Sequence, residues 1–431
     1  MVVFERGEAP DLLGIEKSLT GKRWVSKYFD ERCAIMMSQR LGVSDIVGRL
    51  LVSRGIDVDY ANTFFDPKLR DFLPDPSNLI DMDKAAERTT AAIIGNEKIG
   101  IFGDYDVDGA TSSALLRRFF RAVRGSSITY IPDRVKEGYG PNAPALLGLK
   151  KKGVSLIITV DCGTTADEPI KVAAGNDLDT IVIDHHAAEA KLPPAIAVVN
   201  PNRIDDESGQ GELAAVGVTF LFVIAVNRLL RKAGWYREME EPDLRQWLDI
   251  VALGTVCDVV PLTGINRAFV VQGLKVMAAR KNHGLRALAD TANLDEAPNS
   301  FHLGFTLGPR VNAGGRVGAS ELGAQILSVD NYSDAFEIAS RLEEFNVERK
   351  LIEEKVLRCA LEQIELDQIN NPILIVVGEN WHPGVIGIVA SRLKDRFNRP
   401  AIVVALDKNG KKGVGSGRSV HGIDLGANIL A

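Results

Sequence analysis

Three short β-branched runs, each leading into an aspartate, restrict this chain to few folds. They are Ile99–Phe102 ahead of Gly103-Asp104, Ser155–Val160 ahead of Asp161, and Thr180–Ile183 ahead of Asp184-His185-His186. Helix-length segments flank the first run, at Met82–Ile94 and Ala110–Val123, and further strands are expected at Ile128–Ile131 and Ile196–Val199. Parallel neighbours in a sheet need long crossovers, whereas antiparallel ones need only a hairpin. The alternation therefore predicts an α/β fold built on a doubly wound parallel sheet. In open sheets of that kind, ligands gather outside the carboxyl ends of the strands. The aspartates fall at those ends.

At 431 residues the chain is too long for one ordinary core. Residues 1–75 read as a helical N-terminal segment, with an apolar patch at Ile46–Leu51 and a turn-rich stretch from Phe64 to Pro76. The sheet domain is expected over 76–334, with buried helices at 214–232 and 243–256. A long helix rich in Glu, Lys and Arg follows over 335–370 and reads as a bridge, with Leu342, Phe345, Leu351, Val356 and Leu361 near helical spacing. Strands at Pro372–Val377 and Ala401–Ala405 open a second, smaller α/β domain over 371–431. Gly426 to Ala431 look like the start of an uncapped helix, so this second domain is expected to be incomplete.

Composition narrows the class of function. The formal net charge is -6, and a protein that coats DNA by general electrostatics is usually basic. An enzyme with a local basic channel and a metal site escapes that argument, because bound cations change the local charge. The longest apolar run, Phe220–Val226, is far short of a membrane span. The opening MVVFERGEAPDLL lacks the apolar core of a secretory signal. Cys33, Cys162, Cys257 and Cys359 form no CxxC pair, which argues against a disulfide framework or thiolate zinc site and fits a reducing cytoplasm.

The chemistry lies in the acids. Asp104, Asp106 and Asp108 crowd into GDYDVDG, where three carboxylates repel unless a cation compensates. If the segment is extended, alternate residues point the same way and the three converge. A solvated acidic turn is the plain alternative for this piece alone. An EF-hand is excluded, because the twelfth position from Asp104 is Leu115 and not Glu. Asp161 ends a second strand and Asp184-His185-His186 ends a third. Histidine among carboxylates shifts metal preference from magnesium towards manganese or zinc, and Asp184 is placed to orient an imidazole. Asp258, in LGTVCDVVPL, sits between apolar runs at the end of an expected helix. Four acid-bearing elements together describe a site for two divalent cations, which favours phosphoryl hydrolysis.

GDYDVDG, TVDCGTT, VIDHHAAE and LGTVCDVVPL, in this order, resemble the signature of the DHH phosphoesterase superfamily, in the form found in its single-strand-specific DNA exonucleases. FFDPKLRDFLPDPSNLIDMDKAAER, LGPRVNAGGRVG, NVERKLIE, WHPGVIGIVASRLKDRFNRP and GSGRSV extend the resemblance over essentially the whole chain, with Gly314 standing where alanine is expected. The resemblance implies a DHH catalytic domain, a connecting helix and a DHH-associated domain, with DNA passing between them. It implies hydrolysis of single-stranded DNA from the 5′ end to mononucleotides, in recombination and repair. It further implies two Mn2+ or Mg2+ ions, a helicase and a single-strand-binding protein as partners, and a monomer without membrane contact. An OB-fold usually follows in the family. On this resemblance Asp104 and Asp106 hold one ion and Asp161 bridges. Asp108, His185 and Asp258 complete the second site, His186 faces the scissile phosphate, and Asp184 completes the catalytic pair.

Substrate contacts are expected from Arg310, Asn312 and Arg316 in LGPRVNAGGR, from His382 in WHPGVIG, and from Ser416 and Arg418 in GSGRSV, read as a donor-rich loop. Tight turns are the plain alternative for all three segments. Arg117, Arg118, Arg121 and Arg124, like Lys150–Lys152, read as solvated surface. Tyr105 and Tyr139 suit base stacking and core packing equally. Two competing functions remain at this stage. One is a different DHH hydrolase acting on dinucleotides or pyrophosphate. The other is a scaffold without catalysis, against which the full set of acids argues.

Overall fold

Parallel strands covered on both faces have no solvent side, so they read as continuous apolar runs and not as alternation. The runs above do fold that way. The computed structural model describes residues 12–430 except Thr20, Ser26, Tyr28, Phe29, Val135, Ile369 and Lys408. Residues 1–11, most of the stretch weighed against a secretory signal, lie outside the described residues.

The first sheet has five strands: β1 Lys98–Gly103, β2 Ser126–Tyr130, β3 Val154–Val160, β4 Asp179–Ile183 and β5 Ala197–Val199. All pairs are parallel and the order is β2-β1-β3-β4-β5. This is the predicted doubly wound sheet, and its order reverses between β1 and β3. Among the covering helices, Val107–Ala122 and Ala215–Lys232 bury Phe119, Phe120 and Phe222 completely. Truncating any of these to alanine would cost about 3–5 kcal/mol.

Helices Leu248–Cys257, Gly264–Ala278, His283–Thr291, Gly308–Val317 and Leu322–Ser328 complete the larger core. The long helix runs from Tyr332 to Gln363 and closes in a π turn, Ile364–Gln368. Its Ala335, Ala339 and Leu342 belong to the first core, and its Val356 and Ala360 to a second. That second core lies under β6 Leu374–Glu379, β7 Ala401–Leu406 and β8 Gly413–Arg418, with helix Pro383–Phe397 packed on it. β6 and β7 pair in parallel and β7 and β8 antiparallel.

Residues up to Phe72 form a separate unit. Helices Glu31–Leu41, Asp45–Ser53 and Val58–Phe65 enclose Met37, Leu51 and Ala61, and the side chains of Asp30 and Asp57 cap the first and third.

Three expectations are corrected. The segment GSGRSV is not a free loop, because Gly415 to Arg418 pair along β7. Arg118 and Arg121 are not merely solvated: they donate to the carbonyls of Leu327 and Ser328 at the end of helix Leu322–Ser328. Helix C-termini leave such carbonyls unpaired, and cations favour them. The LGPRVNAGGR segment is no turn but a helix. Its Gly314 and Gly315 lie so close to the carbonyls of Ala319 and Tyr105 that a Cβ would approach them to 2.6 and 2.3 Å.

Candidate metal centre

The strand order reverses between β1 and β3, and the two crossovers leaving that point open a crevice at the strand ends. Asp104 follows β1 directly and Asp161 follows β3. Asp106 is the N-cap of helix Val107–Ala122, with Oδ1 accepting from Gly109 N at 3.1 Å. Asp108 lies in the first turn of that helix. The three acids therefore converge through a strand–turn–helix bend, not through the extended alternation expected. Gly109 permits the bend, since a Cβ there would meet the Asp104 backbone at 2.5 Å.

Asp108 is anchored from far away in sequence. Its carboxylate accepts from Ala215 N at 2.6 Å and Val216 N at 2.9 Å. Helix Ala215–Lys232 begins there, and its N-cap residue, Ala214, has no side chain to cap it. Asp108 supplies that cap and gains the positive end of the helix dipole.

Asp161 holds a left-handed backbone, φ 61°, while its N–H bonds Ile183 O at 3.0 Å. Such a conformation is uncommon outside glycine and clusters at functional sites. His185 Nε2 lies 3.3 Å from Asp161 Oδ1 and 3.9 Å from Asp108 Oδ2. Its Nδ1 lies 3.6 Å from Asp258 Oδ2 and 3.1 Å from Leu213 O. Asp258 caps the C-terminus of helix Leu248–Cys257.

Among the described residues, three groups have ligand atoms close enough to share an ion: Asp104, Asp106 and Asp161; Asp108, His185 and Asp258; and Asp161, His185 and His186. All the expected metal ligands are thus drawn together. Burial, and secondarily repulsion from Asp106, push Asp104 and Asp258 up to about 7. Burial raises Asp108 and Asp161 well above the carboxylate range, with neighbouring acids adding to it. A divalent cation removes that penalty. Asp104 Oδ1 and His185 Nε2 are buried without a hydrogen-bond partner, as atoms awaiting a metal would be. The donor set fits Mn2+ or Mg2+.

Asp184 stays outside all three groups. Its Oδ1 is 2.8 Å from His186 Nδ1 and accepts from His185 N at 2.8 Å, while Oδ2 accepts from Thr164 N at 3.1 Å. Burial opposes its charge, but the His186 bond, the attraction of the His186 ring and the bonds from Thr164 together outweigh burial and bring it down to about 2. The bond to Asp184 also raises His186. Some residues that hold this corner went unread in the sequence. Asn200 Nδ2 donates to the carbonyl of His186 at 2.9 Å, and Asn202 Nδ2 to that of His185 at 2.5 Å. Their one signal was an Asn-Pro-Asn directly after the last strand run. Tyr139, half exposed, donates to Asp161 O at 3.1 Å and lies 3.4 Å from His186 Nδ1, so it is neither core nor a free stacking ring.

Arg310, Asn312 and Arg316 line one cleft of about 550 Å³ with Asp106, Asp108 and Asp258. Arg310 pairs with Glu343 at 2.5 Å and donates to Thr306 O at 2.7 Å. Burial lowers Arg316 to about 10, and its Nη1 donates to Gly384 O at 3.0 Å. The remaining three candidates do not line this cleft. His382 spends Nδ1 capping its own helix, accepting from Gly384 N at 3.1 Å. Gly384 is glycine because a Cβ would meet Arg316 O at 2.2 Å. Ser416 and Arg418 lie on β8, with Arg418 Nη1 bonded to Gly417 O at 2.8 Å and facing Ser416 Oγ at 3.3 Å.

Residues 98–255 match the DHH family, N-terminal domain, and residues 370–430 match the DHHA1 domain. The single-stranded-DNA-specific exonuclease RecJ of Escherichia coli (strain K12) is 37% identical over 389 residues, covering 88% of this chain and 67% of the relative. A crystal structure of exonuclease RecJ bound to manganese superposes with a TM-score of 0.69 at 31% identity, covering 82% of this chain and 85% of that one. The chain belongs to the RecJ family. The RecJ of Bacillus subtilis (strain 168) is 37% identical over 406 residues, 94% of this chain and 50% of the relative. The RecJ of Thermus thermophilus in complex with Mn2+ gives a TM-score of 0.75 at 29% identity, covering 93% of this chain and 55% of that structure. The chain thus spans about half to two thirds of the length of these curated RecJ relatives.

Proposed function

We propose that this chain carries the catalytic part of a divalent-metal-dependent exonuclease that hydrolyses single-stranded DNA from its 5′ end to mononucleotides. The observation that carries the reading is the gathering of Asp104, Asp106, Asp108, Asp161, His185 and Asp258 at the reversal point of the sheet, in a chain of the RecJ family. Asp104, Asp106 and Asp161 would hold one Mn2+ or Mg2+ ion, and Asp108, His185 and Asp258 a second. Bound there, such ions supply the charge that activates water and stabilises a leaving oxygen. Asp184 holds His186 through Nδ1, which leaves Nε2 to donate a hydrogen bond to the scissile phosphate or a proton to the leaving oxygen. Arg310, Asn312 and Arg316 line the approach, where guanidinium groups suit phosphates. Ser416 and Arg418 on β8, and His382 at the N-cap of helix Pro383–Phe397, would contact the DNA end.

A helicase and a single-strand-binding protein are the partners this activity calls for in cytoplasmic recombination and repair, with the chain acting as a monomer. Among the described residues no helix is long and apolar enough to cross a membrane. The test is release of mononucleotides from 5′-phosphorylated single-stranded DNA with Mn2+, with and without EDTA, beside a dinucleotide and pyrophosphate. EDTA-sensitive degradation of the long strand from its 5′ end supports the reading. Activity on the dinucleotide or pyrophosphate alone contradicts it.

A further inference from the structure

A second cavity, of about 290 Å³, is lined by Arg118, Asp243, Arg245, Trp247, Lys281 and Asn282. Three cations there face one carboxylate, and that carboxylate, Asp243, is already held by Arg245 at 2.8 Å. Arg118 bonds Leu327 O through Nε at 2.6 Å and Val329 O through Nη2 at 3.4 Å. Both partners are uncharged, and Nη1 has none among the described residues. Lys281 is exposed and makes no ion pair among the described residues. Burial holds Arg118 below the usual guanidinium value. Asp249 attracts it from the first turn of helix Leu248–Cys257, yet burial pushes that carboxyl up to about 7. Near neutrality Arg118 therefore meets only part of a counter-charge. A largely desolvated cation in that position is unfavourable until an anion joins it.

The missing charge defines the ligand. A guanidinium takes two oxygens of a phosphate through its planar fork, and Lys281 adds a mobile point charge beside it. Trp247 and Asn282 are the N-cap residues of helices Leu248–Cys257 and His283–Thr291, so the positive ends of two helix dipoles add to the same field. The volume lies near the small end of clefts that hold small molecules, about 300–1,000 Å³. The metal centre is a separate place. Arg118 stands ten residues beyond Asp108 on one helix, and Asp258 closes the helix that Trp247 opens, about 15 Å along each axis.

We propose that this cavity binds a phosphate dianion, free or carried as the 5′-phosphate of a mononucleotide, with Arg118 at its floor and Arg245 and Lys281 at its rim. The site stands without the nuclease reading, although a mononucleotide is the product that reading releases. The test is isothermal titration calorimetry in EDTA, with inorganic phosphate and with thymidine 5′-monophosphate. Arg245→Glu with Lys281→Glu alters exposed side chains and should weaken binding about tenfold or more with the melting temperature kept. Arg118→Lys keeps the charge but loses the fork, and should also weaken binding. Asp161→Asn, at the metal centre, should leave it unchanged. Tighter binding of the monophosphate assigns the site to a nucleotide. Equal or tighter binding of inorganic phosphate assigns it to the free anion, and either order supports the site. No saturable binding of either anion at about 10 mM overturns it. So does equal affinity in wild type and the double Glu variant, or loss of binding in Asp161→Asn, which would place the anion at the metal centre.

Discussion

Asp184 Oδ1 accepts from His185 N and stands 2.8 Å from His186 Nδ1, so one buried carboxylate oxygen holds both histidines of the motif while standing outside the three groups of ligand atoms close enough to share an ion. Asp184→Asn keeps the shape but removes the charge that fixes the His186 ring. Turnover on single-stranded DNA should fall about 10–100-fold, as for other groups that orient a ligand or acid from behind. Because Asp184 acts through His186, adding Asp184→Asn to His186→Ala should cost little more. Single-turnover rates of the two single variants and the double variant decide this, and additive losses would separate the two residues.

Arg310 lies in the cleft with its guanidinium against Glu343, both mostly buried. Arg310→Ala leaves that carboxylate without its partner, and the chain should lose about 1–3 kcal/mol of stability. Arg310→Met with Glu343→Gln removes both charges and should restore the melting temperature, yet affinity for single-stranded DNA should remain low. Recovery of affinity in the double variant would show that Arg310 serves only the fold.

Asp249 is 2% exposed, and burial pushes it up to about 7 against opposition from Ile250 N and Arg118. Its raised value means the folded chain holds the proton more tightly than the unfolded chain. Stability from this group is therefore present at low pH, declines as pH rises from about 4 to 7, and stays low above that. Asp249→Asn removes the titration, and its Oδ1 can still accept from Ile250 N. It should stabilise the chain by on the order of 2–4 kcal/mol at pH 8, with the gain vanishing towards pH 4. Denaturant melts of both forms across that range check it, and a gain independent of pH would contradict it.

The sheet and its acids were legible because parallel strands buried on both faces leave long β-branched runs, and Asp104, Asp161 and Asp184 end three of them. What holds Asp108 was not legible, since Ala215 and Val216 meet it only after the chain has wound through further strands of the sheet. Arg118 and Arg121 looked solvated because their own helix does not reveal the carbonyls of Leu327 and Ser328 that they reach. β8 was missed because its Gly413, Gly415 and Gly417 carry no β propensity. At an edge, pairing with β7 alone makes it a strand. The capping role of His382 was hidden behind the expected phosphate contact, because a helix N-cap and an anion site ask for the same residues.

The central claim is that cations held at the reversal point of the sheet perform the hydrolysis, and Asp161 is the acid whose oxygen joins two of the three ligand groups. Asp161→Asn keeps the side-chain shape and tolerates the left-handed backbone at φ 61°, so the fold survives and only the charge is lost. The deciding measurement is the rate of mononucleotide release from single-stranded DNA by Asp161→Asn at saturating Mn2+. Near-complete loss of hydrolysis, with an unchanged melting temperature in EDTA, is the predicted result. A rate close to wild type would contradict the account.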